Sequence, residues 1–112
     1  MSILNNQHLI HENVSPGYKR TMAYLNNLMV TVCTFTNGPA QEPDPPHSHK
    51  HEQITYVAEG KLIFFMGDEK KSLSQGDIVT IPSGIPHCIQ TLSDRVVLID
   101  SFSPVRKDFL KQ

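Results

Sequence analysis

His47-Ser48-His49-Lys50-His51-Glu52-Gln53-Ile54-Thr55-Tyr56-Val57-Ala58-Glu59-Gly60 opens with two histidines in alternate positions and closes on a glycine. Written as spacings it is His-x-His-x3-Gln-x6-Gly, and a second pattern, Gly-x5-Pro-x-Gly-x2-His, runs from Gly76 to His87. Alternate residues of a strand share a face, so His47 and His49 on one strand would present two imidazoles to the same side. Gln53, displaced by a bulge, and His87, from a distant strand, would supply a third and a fourth ligand to a metal ion. Glu52 competes with Gln53 for the oxygen position. His51 has the parity of His49 and could substitute for it or sit at the rim, although a solvated loop histidine is the simpler reading. Gly60 and Gly76 suit turns that end and begin strands, and Gly84 suits a sharp bend before His87.

Outward from these stretches, no long segment carries apolar residues at helical spacing. Short β-branched and aromatic runs recur instead, between turn signals such as Asn37-Gly38-Pro39, Glu59-Gly60, Gly67-Asp68 and Gln75-Gly76-Asp77. The pattern predicts strands at 18–24, 28–35, 53–58, 61–66, 71–74, 78–81, 87–91 and 96–103, hence an all-β sandwich or barrel of jelly-roll type. The one helical candidate is a short tail over 106–111. The segment 38–46 holds four prolines and reads as a stiff, extended connection leading straight into His47.

Composition narrows the partners. Ten Lys and Arg against eleven Asp and Glu give a formal charge of −1, which leaves no broad cationic surface for nucleic acid or anionic lipid. No apolar run approaches the roughly 20 residues that a membrane-crossing helix needs. Asn5, Asn6, Gln7 and His8 stand where a signal peptide would carry its apolar run, so the expected location is the cytoplasm. Cys33 and Cys88 are too few to frame disulfides and are expected as buried thiols, with Cys88 turned away from the side His87 faces. His8 and His11 fall in a polar N-terminal arm with no expected role.

A second constellation lies near the C-terminus. If Val96, Leu98, Asp100 and Phe102 share one strand face, an acidic group is carried into an apolar interior, where it is costly unless paired or functional. Asp100 is therefore the candidate acid or base. Beyond Ser103-Pro104, Arg106 could return to the barrel mouth and grip a carboxylate at two points; equally, it could form a surface ion pair with Asp108.

The two spaced patterns resemble the two conserved motifs of the cupin superfamily. The resemblance implies one small cupin β-barrel over 1–112, with a metal-binding core at about 28–103. It also implies a divalent ion (Ni, Zn, Fe or Mn) held by His47, His49, Gln53 and His87. Many cupins have Glu where this chain has Gln53. A neutral amide leaves the site one unit more positive, which favours Lewis-acid chemistry over oxidation. Together with Asp100-x-Phe102-Ser103-Pro104-x-Arg106-x-Asp108-Phe109-Leu110, the first motif is most similar to pectin-degradation cupins of the KdgF type. That resemblance implies conversion of 4,5-unsaturated uronate monomers, from pectin or alginate, from ring to linear keto form. The metal positions would be those above, with Asp100, Phe102 and Arg106 in catalysis. A homodimer is also expected, consistent with a strand, 96–99, that is apolar on both faces.

Two other readings compete. A cupin of this kind could be an iron-dependent dioxygenase, which would consume oxygen with its substrate, or a different lyase or isomerase. It could also be a non-catalytic small-molecule sensor, which would keep its ligand affinity when Asp100 is replaced by Asn.

Overall fold

The computed structural model describes residues 3–110. Among them nine strands follow in chain order: β1 (Ile10–Ser15), β2 (Tyr18–Tyr24), β3 (Met29–Phe35), β4 (Glu52–Glu59), β5 (Lys61–Met66), β6 (Glu69–Ser74), β7 (Ile78–Ile81), β8 (His87–Thr91) and β9 (Val96–Ser103). They form a six-stranded sheet, β1-β2-β3-β9-β4-β7, and a three-stranded sheet, β6-β5-β8. All pairings are antiparallel. The all-β expectation holds, and the bounds expected for β2, β5, β7, β8 and β9 are those observed.

Alternation explains why these segments become strands. Along β9, Val96, Leu98, Asp100 and Phe102 are buried while their neighbours are half-buried or exposed. Along β4, Gln53, Thr55 and Val57 face in, and Glu52, Ile54 and Tyr56 face out. Register then stacks the inward residues into rows: Met29–Phe102–Gln53, Thr31–Asp100–Thr55 and Cys33–Leu98–Val57. The two outer rows belong to separate apolar clusters, one with Val57, Leu62, Phe64 and Leu98, the other with Met22, Met29, Phe102 and Phe109. The Thr31–Asp100–Thr55 row is thus a polar layer between two apolar ones. Gly60 (φ +91) closes the β4–β5 turn, where a Cβ would strike the Arg95 carbonyl.

Three expectations need correction. His47 and His49 do not lie on a regular strand. The proline-rich segment instead runs along the edge of β8, with Ala40 N–H donating to Thr91, Asp44 N–H to Ile89, and His47 N–H to His87 (3.0 Å each). His47 is a single bridge residue opposite His87, and the chain after it is irregular until Glu52. This pairing, rather than strand parity, brings the first histidine to the last. Second, the polar arm containing His11 is a strand, β1, paired along β2. Third, the tail expected as helix over 106–111 is one 3-10 turn, Lys107–Leu110, and Lys111 lies outside the described residues. No helix among the described residues is long and apolar enough to cross a membrane.

Candidate metal centre

The bridge between His47 and His87, closed by two backbone hydrogen bonds of 3.0 and 2.9 Å, sets their rings 4.3 Å apart between centroids. Gly84 (φ +80) makes the bend before His87, and its N–H donates to the His49 carbonyl at 2.8 Å, tying the two motifs together. One ring nitrogen from each of His47, His49 and His87 falls within a cluster whose members all lie within 4.8 Å of one another. Gln53 reaches the cluster without the expected bulge, because β4 keeps regular register there, and its side-chain oxygen lies 3.1 Å from Nε2 of His49.

The protons on these groups can be deduced from their partners. A carbonyl only accepts, so His49 Nδ1–H donates to the His51 carbonyl (2.9 Å) and His87 Nδ1–H donates to the Ile85 carbonyl (2.9 Å). In the neutral rings Nε2 is then bare. Nε2 of His87 is buried with no hydrogen-bond partner. Nε2 of His49 lies 3.1 Å from the Gln53 carbonyl oxygen, so that in a neutral ring with its proton on Nδ1 two acceptors would face each other. Buried lone pairs left without donors are costly, and a cation among them removes that cost. Although His47 is exposed, partial desolvation beside the cluster, with help from His87, Arg106 and His49, pulls its pKa down to about 4, and burial lowers His87, which favours the neutral rings that can ligate. The donor set of three imidazole nitrogens and one amide oxygen therefore fits a divalent ion.

Behind Gln53 lies a directional chain. Gln53 Nε2 donates to Thr55 Oγ1 at 2.8 Å, Thr55 donates to Asp100 Oδ1 at 2.6 Å, and the Cys33 thiol donates to Asp100 Oδ2 at 3.5 Å. Asp100 is 9% exposed. Burial pushes its pKa up, while hydrogen bonds from Thr55 and Cys33 and the charge of Arg106 partly oppose the rise. Burial also pushes the Cys33 thiol up to about 12, so it stays protonated.

Arg106 both pairs with Asp108 and returns to the cavity. Its Nη2 bonds Asp108 at 2.9 Å, yet the guanidinium returns over the rings of Phe109 (4.0 Å) and Phe102 (5.5 Å), with Nε buried and unpartnered. His47, Gln53, His87, Asp100, Phe102 and Arg106 line one cavity of about 270 Å³. Glu52 is exposed and faces outward, whereas Gln53 lies on the inner side. His51 is not a solvated loop residue: it is half-buried, and its Nε2 donates to the Val105 carbonyl at 3.1 Å, pinning the C-terminal segment. Cys33 and Cys88 are both buried.

Sequence reasoning missed Thr55, Cys33 and Arg20. Thr55 has the parity of Gln53, and Cys33 that of Met29 and Thr31, so alternation could have found both. Arg20, on β2, lines the same cavity, bonds Glu12 at 2.7 Å and stacks on Phe109 at 3.7 Å. Only three-dimensional placement reveals it.

An antiparallel barrel with a histidine cluster on its inner wall is the architecture of the cupins, and residues 34–102, more than half of the chain, match the family model described as Cupin domain. The chain belongs to that family. Among curated proteins it is 36% identical over 101 residues to the pectin degradation protein KdgF of Dickeya dadantii (strain 3937), covering 88% of this chain and 89% of the relative. Among solved structures, KdgF from a Halomonas species superposes with a TM-score of 0.84 at 33% identity, covering 96% of this chain and 99% of that one. An RmlC-like cupin from Shewanella frigidimarina NCIMB 400 gives 0.83 at 29% identity, with 97% and 96% covered.

Proposed function

We propose that this chain is a metal-dependent enzyme that opens the ring of 4,5-unsaturated uronate monomers from pectin or alginate breakdown, yielding the linear keto form. The observation that carries the reading is that Asp100 and Arg106 line the same cavity as His47 and His87, two of the three clustered histidines. Likeness to a pectin degradation protein and to a second KdgF supports a role in pectin breakdown, and the unsaturated uronate follows from the motif resemblance.

A divalent ion held by His47, His49, Gln53 and His87 would supply Lewis-acid polarisation of a substrate oxygen. Arg106, with a buried unpartnered Nε, binds the uronate carboxylate and orients the ring. Phe102, 2% exposed, forms wall rather than platform and keeps water from the reacting end. Asp100 moves the proton. As the anomeric hydroxyl loses its proton the bond from C1 to the ring oxygen breaks, and the electron pair passes to that oxygen, giving an aldehyde and an enol. Ketonisation then delivers a proton to C4. The conversion is an isomerisation, with no net gain or loss of protons, so one carboxyl group that takes up a proton and returns it suffices.

Cytoplasmic location and assembly as a homodimer go with this reading. Support for the dimer comes from the outer face of the large sheet, where Val32, Ile99, Tyr56 and Ile78 form one cross-strand row. Tyr56 and Ile78 in that row are exposed.

The test is an NMR time course of fresh unsaturated uronate with metal-loaded protein, beside a His87→Ala control and an oxygen electrode. Faster loss of the ring form that vanishes in the control, without oxygen uptake, is the expected result. No acceleration with any of Ni, Zn, Fe or Mn removes the proposed reaction, and oxygen consumption replaces it with an oxygenase.

A further inference from the structure

We propose that Thr55 is a positioning residue that fixes which end of the Gln53 amide faces the histidines. The inference rests on the reading of the histidine cluster as a metal centre and extends it to a residue outside the ligand set.

The argument follows from donor and acceptor capacity. An amide nitrogen only donates, so at 2.8 Å the Thr55 oxygen must accept from Gln53 Nε2. A hydroxyl has a single proton, and this one is committed to Asp100 Oδ1 at 2.6 Å. With Nε2 occupied, the amide carbonyl is the end turned toward His49, at 3.1 Å. A reversed amide would draw the hydroxyl proton to Gln53. The Thr55 lone pairs would then face the Oδ1 carboxylate oxygen, an acceptor against an acceptor in a buried layer. Thr55 is 1% exposed, so water has little access to rescue that arrangement. The same bond occupies Oδ1 with a short, strong donor, while Oδ2 meets only the weak thiol donor of Cys33 at 3.5 Å. The β4–β9 register makes the link possible, because Thr55 stands directly opposite Asp100 and two residues from Gln53 on the same face.

The experiment measures ion affinity, not turnover. Zn²⁺ is titrated against a competing chelator into the wild-type protein, Thr55→Val, which keeps the shape and removes the hydroxyl, and Thr55→Ser, which restores it. Outer hydrogen bonds of this kind typically govern metal affinity by about 10- to 100-fold. Thr55→Val is expected to weaken binding within that range, with Thr55→Ser close to wild type. In parallel, ¹⁵N NMR of the wild-type Gln53 side chain should show amide protons protected from exchange that shift on adding Zn²⁺. This readout decides the matter even if Thr55→Val does not fold. Equal affinity in wild type and Thr55→Val, a Thr55→Ser variant as weak as Thr55→Val, or Gln53 amide protons exchanging like a free amide overturns the inference and leaves the metal centre standing. A wild-type protein that takes up no Zn²⁺ overturns both.

Discussion

Asp100 sits where an ionised carboxyl is costly, and its environment offsets only part of the cost. Burial raises its pKa above the ordinary 3.8, against the opposing bonds from Thr55 and Cys33. The folded chain therefore holds this proton at a pH where the unfolded chain has released it. That contribution to stability is complete below the unfolded value and is lost as pH rises through the folded one. Asp100→Asn should remove this slope. Urea unfolding is expected to show the variant more stable than wild type at neutral pH, with the advantage shrinking toward pH 3.8. Turnover of unsaturated uronate should fall by about 10²-fold or more. A variant less stable than wild type at neutral pH would show that the carboxylate is a net structural asset, and retained turnover would remove Asp100 from the chemistry.

At the level of elements, the C-terminal turn Lys107–Leu110 seals one end of the cavity. Phe109 packs edge-on to Phe102 at 5.8 Å, and the guanidiniums of Arg20 and Arg106 stack on its ring at 3.7 and 4.0 Å. Phe109→Ala should cost about 3 kcal/mol in chemical denaturation and raise KM, since both arginines lose the surface that holds them. A KM unchanged in a folded variant would show that the turn is packing alone. The same region shows how much could be read before the structure. Strands β2 to β9 announced themselves through alternation and glycine-bearing turns, and so did the placement of Asp100 and Phe102 on one inward face. β1 did not, because the inward position that should have been apolar is Glu12, which is matched to Arg20 across the β1–β2 pair. His47 was legible as a ligand candidate but not in its manner of delivery: the bridge to His87 depends on backbone pairing of the proline-rich segment with β8, which no local pattern encodes. Alternation marks the hydroxyl and thiol around Asp100 as inward, but threonine and cysteine are ordinary strand interior residues until register sets them beside a carboxyl group.

For the molecule as a whole, the larger sheet leaves an outward row of Val32, Ile99, Tyr56 and Ile78, with Ile54 beside it. With a formal charge of −1, a second copy meets little net repulsion. Light scattering should give twice the 12.6 kDa chain mass, and a Tyr56→Lys, Ile78→Lys double variant should fall to the single-chain value with its far-UV spectrum intact. A wild-type protein that runs as one chain would dispose of the pairing. Within a single copy, the hydrogen bonds of His49 to the His51 carbonyl and of the His51 ring to the Val105 carbonyl join the centre to the C-terminal turn through one residue. Anything that steadies His49 steadies the latch that holds the tail. An ion bound at this centre would be expected to tighten the docking of the C-terminal segment, read as slower backbone amide exchange there on adding metal.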